Sequence, residues 1–240
     1  MLVFSYGIPK SGSTLAFELA KAVARLGGHR QPLLPAVLLP GGHKVNFAQD
    51  LVAADLPRLA EAAAGRILLV KTHACPGPEW VASYRALAAQ GLVSAHVNHR
   101  DPRDICLSLL DAGRLARGRG ERAFAEFVTL EDAVSGVRRY LAEQAVWEAL
   151  PRVLALDYAI CAFRMAEAVE AIKSDLGIAC PNWLVRLWVQ RFAFTYRNKA
   201  VPARHEAELT PEQSDRLARD FAAWLPAVGN PNYHRSTGQN

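Results

Sequence analysis

Eight residues, Gly7-Ile8-Pro9-Lys10-Ser11-Gly12-Ser13-Thr14, hold two glycines, a lysine and three hydroxyls between an apolar run and a helical pattern. The spacing G-x-x-x-x-G-x-[ST] is the outline of a phosphate cradle. Such a loop turns successive backbone N–H groups and a helix amino terminus toward an anion. Ser11, Ser13 and Thr14 add hydroxyl donors. In a triphosphate-binding loop, the lysine that reaches the β- and γ-phosphates directly follows the second glycine. Here that position is Ser13, and the lysine comes earlier, at Lys10. A shorter anion, with its reacting group near Lys10, suits this arrangement better than a triphosphate. The plain alternative is a Gly/Ser-rich strand–helix turn.

Three further segments carry candidate chemistry. In Lys71-Thr72-His73, a histidine at a strand end can serve as a general base near neutral pH. Lys71 shares its face, because strand residues two apart point the same way. Arg100 opens Arg100-Asp101-Pro102-Arg103-Asp104, and Ser108 follows two helical turns on. Both could reach one phosphate, the arginine with its planar fork. The competing reading pairs Arg100 with Asp101 or Asp104. Tyr158, at the end of an apolar strand, could lie against a purine or simply close the core.

The elements that must position these groups read clearly. Apolar runs at 2–6, 67–72, 93–98 and 153–157 are strands. Helical patterns cover 14–26, 51–64, 79–90, 101–115, 129–150, 162–176 and 183–196. Thr210-Pro211-Glu212-Gln213 is a strong helix start. Stretches 31–46, 117–120 and 198–209 read as irregular. Strands alternating with helices predict a single α/β domain over 1–229, with a parallel sheet flanked by helices on both faces. Residues 230–240 should fray. In such sheets ligands sit at the carboxyl ends of the strands, which is where the four segments fall.

Composition bounds the rest. The 240 residues are 51% hydrophobic and 21% charged, ordinary globular usage that excludes disorder, collagen and coiled coil for the whole chain. The net charge of +5 suits an anionic ligand. Cys75, Cys106, Cys161 and Cys180 show no metal-ligand spacing and read as reduced thiols of a cytoplasmic protein. No apolar run reaches the roughly 20 residues of a membrane span, and no secretory leader is evident. Arg114, Arg117, Arg119 and Arg122 lack interleaved aromatics, so nucleic-acid stacking is not expected. They read as a solvated, mobile loop, or as a contact for an acidic acceptor such as a glycan. A homo-oligomer stays open.

Together these segments resemble the sulfotransferases that use 3′-phosphoadenosine 5′-phosphosulfate (PAPS), whose fold is P-loop-like. Pro9-Lys10-Ser11-Gly12-Ser13-Thr14 resembles their 5′-phosphosulfate loop, and Lys71-Thr72-His73 their K-T-H segment. Arg100 to Asp104 with Ser108 resembles their 3′-phosphate element. Leu156-Asp157-Tyr158 resembles the segment whose tyrosine approaches adenine, and 209–213 a common carboxyl-terminal stretch. The resemblance implies sulfuryl transfer to a hydroxyl or amine of a small-molecule, glycan or lipid acceptor, with no metal required. His73 would be the base and Lys10 would meet the leaving bridging oxygen. Lys71 would stabilise the sulfuryl oxygens, and Ser108 would hold Lys10 aside until acceptor binds. Donor contacts would come from Lys10 to Thr14, Arg100, Ser108, Tyr158, Arg197 and Lys199. Two departures stand out: Leu15 replaces the usual aromatic, and Arg197-Asn198-Lys199-Ala200 poorly matches the glycine-rich lid. The alternatives are a P-loop kinase for a small metabolite and a non-catalytic nucleotide-binding module.

Overall fold

The computed structural model describes residues 1–39, 45–193 and 201–227. Arg197, Lys199 and the 230–240 tail lie outside the described residues. Five strands form one parallel sheet: β1 (Leu2–Gly7), β2 (Phe47–Ala48), β3 (Leu68–Thr72), β4 (Val93–His99) and β5 (Val153–Asp157), in the order β2-β3-β1-β4-β5. β1 is central and buried along its whole length, as expected of a parallel strand covered on both faces. Register aligns the strand ends: Tyr6 pairs with Thr72 and with Val97, and His99 with Asp157.

One face is covered by α1 (Ser13–Leu26), α6 (Tyr158–Phe163), α7 (Met165–Leu176) and α8 (Asn182–Phe192). Phe17, Leu19, Val23, Val169, Ile172 and Val185 pack there. The opposite face holds α2 (Leu56–Ala62), α3 (Pro78–Ala89), α4 (Pro102–Arg119), α5 (Leu130–Glu148) and α10 (Pro211–Asp220). Its core is aromatic. Trp80 and Trp147 lie 5.2 Å apart, Phe4 meets Trp80 edge-on at 5.1 Å, and Tyr6 stacks on Trp147 at 5.0 Å.

Several expectations are corrected. Residues 117–119 are helical. Arg117 braces the helix end by donating to the carbonyls of Ala125 and Phe127, and Gly120, at φ 68°, ends it. The expected mobile arginine loop is therefore partly the last turn of α4. The pattern at 51–64 begins as a 3-10 turn, Ala53–Asp55, before α2. That at 162–176 is two helices broken at Arg164, the first starting at Tyr158. The stretch read as irregular at 198–209 contains α9 (Arg204–Glu208). β2 went unseen because two residues cannot display a period.

Candidate active site

The loop between β1 and α1 is built by two left-handed residues, Lys10 at φ 68° and Gly12 at φ 87°. Their alternation with ordinary backbone curls the N–H groups inward. The turn closes with Ser11 N–H and Oγ both donating to the Ile8 carbonyl, at 3.2 and 2.8 Å. Among the described residues, the N–H groups of Gly12, Ser13 and Thr14 have no acceptor. They form the start of α1, where an anion is favoured. Gly7 must be glycine: a Cβ there would lie 2.7 Å from the Ser13 Cβ. Gly12 must be glycine for two reasons, its positive φ and the Tyr158 ring lying where a Cβ would go.

The ends of β3, β4 and β5 each place a side chain on this loop. From β3, Lys71 Nζ donates to Thr14 Oγ1 at 2.7 Å. Burial pulls its ammonium down to about 8, against the attraction of Glu18. Just past β3, His73 Nδ1 lies 2.5 Å from the Gly7 carbonyl. A carbonyl only accepts, so Nδ1 carries the proton and donates, which leaves Nε2 as the basic nitrogen. Burial, reinforced by the Lys71 charge, lowers this imidazole to about 4. It is neutral near pH 7. Phe47 of β2 flanks the ring at 5.6 Å between centroids.

From β4, Arg100 donates to the Lys10 carbonyl at 2.9 Å and lies 3.7 Å from an Asp104 oxygen. Its side chain is only 9% exposed. Its Nε is buried without a hydrogen-bond partner, and burial lowers its affinity for the proton. From β5, Tyr158 slides under Arg100, with ring and guanidinium 4.4 Å apart, a cation–π contact. Arg100 thus pairs with Asp104, while Asp101 is held by Arg103 at 2.7 Å. Ser108 is buried two turns into α4. Lys10 Nζ lies over the Phe124 ring at 4.7 Å, and no hydrogen bond joins it to Ser108 among the described residues. Burial lowers the Lys10 ammonium, partly offset by Asp111.

Sequence reasoning missed Phe124, Phe47 and a carboxyl-terminal strap. In that strap the His205 backbone N–H donates to Asp104 at 3.0 Å, and its ring Nδ1 contacts the same oxygen at 2.9 Å. Arg204 bridges Asp111 and Glu208, each at 2.8 Å. Asp104 and Asp111 flank Ser108 on α4, so the strap closes over the Ser108 end of the site. No local pattern announces contacts between residues about a hundred positions apart.

These features fit a small polyanion. A row of unpaired N–H groups, two lysines and a buried arginine with a free Nε converge on one loop. Among the described residues no cluster of His, Cys, Asp and Glu suits a metal ion, and no helix is long and apolar enough to cross a membrane.

No protein-family model matches the sequence, and no curated protein is similar to it in sequence. Solved structures are similar in fold. The mouse sulfotransferase SULT7A1 complexed with PAP superposes with a TM-score of 0.54 at 14% identity, over 98% of this chain and 87% of that one. Retinol dehydratase in a complex with retinol and PAP gives 0.52 at 13% identity, over 95% and 82%. The parallel sheet, its strand-end loop and these likenesses together show that the chain has the sulfotransferase fold.

Proposed function

We propose that the chain transfers a sulfuryl group from PAPS to the hydroxyl or amine of a small-molecule acceptor. The observation that carries this reading is the convergence of Lys71, His73, Arg100 and Tyr158 on the Gly7–Thr14 loop. The likeness to PAP-bound sulfotransferases supports it. When bound, PAPS supplies a sulfuryl group on a phosphate–sulfate anhydride. The N–H groups of Gly12, Ser13 and Thr14 would hold its 5′ end, and Arg100 with Ser108 its 3′-phosphate. Tyr158 would border the base. Arg197 and Lys199 would complete the 3′-phosphate seat.

His73 Nε2 then takes the proton from the acceptor as the new sulfur–oxygen or sulfur–nitrogen bond forms. Lys10 meets the charge left on the bridging oxygen as the old bond breaks. Lys71 faces the sulfuryl oxygens. Such catalysis rests on positioning and charge stabilisation. All four cysteines are free thiols, which fits a reducing, cytoplasmic setting.

Calorimetry with adenosine 3′,5′-bisphosphate tests the donor site. Saturable binding that weakens in Arg100→Ala is expected, and the absence of heat with folded protein would refute the reading. His73→Ala should lower turnover by about 10²–10⁴-fold while bisphosphate binding survives. Normal turnover in that variant would reject the base assignment. Lys10→Ala should lower both affinity and rate.

A further inference from the structure

Away from the loop, a cavity of about 210 Å³ opens between α1, α8 and the outer edge of β3. It shares no lining residue with the Lys10–Thr14 loop, Arg100, Ser108 or Tyr158. Two of its lining aromatics each carry a cation. Lys21 Nζ lies 5.5 Å from the Phe17 ring centre, and the Arg25 guanidinium 4.8 Å from that of Trp188. Trp188 meets Phe192 at 4.7 Å. Phe192 is 64% exposed and Leu33 53%, so the mouth is apolar.

The charge balance inside is uneven. Glu18 is 4% exposed and is answered by Lys21 at 2.6 Å. Its carboxylate also acts on Lys71. Arg25 has no carboxylate partner among the described residues; its recorded contact is the Trp188 ring. Within the lining one carboxylate therefore faces two cations, Lys21 and Arg25, which favours an anionic guest and disfavours an amine. Arginine beside an indole offers a fork for a carboxylate and a flat surface for a ring. The volume is below the roughly 300 Å³ at which drug-sized sites begin, so the guest is small.

We propose that this cavity is a second ligand site, for a small aryl carboxylate. Its ring lies among Phe17, Trp188 and Phe192, and its carboxylate on Arg25 and Lys21. The site stands independently of the sulfuryl-transfer reading.

The test is calorimetry on the full chain with 2-naphthoate as probe, with and without saturating adenosine 3′,5′-bisphosphate. Binding is expected in both conditions. It should weaken about tenfold or more for neutral 2-naphthamide and for Arg25→Gln, since each removes a charged hydrogen-bond partner. Arg25 is exposed, so the variant should fold, which thermal melting verifies. Should it not fold, Lys21→Gln gives the same readout. No binding to folded protein, equal affinity for the amide, or unchanged affinity in a folded charge variant would overturn the proposal. Displacement of 2-naphthoate by the bisphosphate would also overturn it, because the two would then share one site.

Discussion

At the scale of single residues, the candidate site depends on backbone conformation and burial as much as on side-chain type. Gly12 combines a φ of 87° with a Tyr158 ring packed where a Cβ would stand. Gly12→Ala should therefore pay for both strain and clash; a lowered melting temperature and weaker bisphosphate binding are expected. His73 and Lys71 predict a pH profile. The free protein holds His73 near 4 and Lys71 near 8. If His73 must be neutral and Lys71 charged, kcat/KM for the acceptor is flat between them, with limbs near those values. An acid limb near 6.5 would mean that His73 is solvated in the working enzyme and not held low by burial. The sign for stability follows the same shift. A histidine whose folded value is depressed binds its proton mainly in the unfolded chain between about 6.5 and 4. Stability contributed by neutral His73 is complete above that window and is lost as pH falls through it. His73→Gln should flatten this part of the curve in urea melts at a series of pH values.

At the scale of elements, polar side chains finish what the backbone leaves open. Beyond β2 the outer edge of β3 has no strand partner among the described residues. Gln31 takes that place: its amide donates to the Ile67 carbonyl at 2.7 Å and accepts from Leu69 N–H at 3.0 Å. Gln31→Ala strands two backbone groups and should cost about 1–3 kcal/mol in urea unfolding. Helix starts follow the same logic. Thr129 with Asp132, and Thr210 with Gln213, form reciprocal capping boxes at α5 and α10. Thr210→Ala should cost about 1 kcal/mol without altering bisphosphate binding, because α10 contributes nothing to the loop. The Thr210 start was legible in the sequence because a cap is a local pattern. The Gln31 edge was not, since its partners lie more than thirty residues away.

At the scale of the molecule, α9 ties the carboxyl-terminal region to α4. Arg204, with its side chain only 2% exposed, bridges two carboxylates, whereas Arg216 pairs with Glu131 at the surface. Losing the first leaves Asp111 and Glu208 short of their shared cation and should cost about 3 kcal/mol. Losing the second should cost far less, because solvent screens an exposed pair. Equal losses for Arg204→Ala and Arg216→Ala in parallel denaturant titrations would show that the strap is not buried in solution. Taken alone, the sequence determined the α/β class, four of the five strands among the described residues, the glycine-spaced loop between the first strand and helix, and the order of the segments around it. These are set by contiguous apolar runs, helical periods and glycine spacing, all local. Only the tertiary structure decided that Arg100 grips the loop through the Lys10 carbonyl, that Gly7 fixes the His73 tautomer, that Lys10 rests on Phe124, and that Asp104 holds His205. The physical reason is that a side chain's charge and proton depend on which distant groups fold against it and how much water they displace, and no local period encodes either.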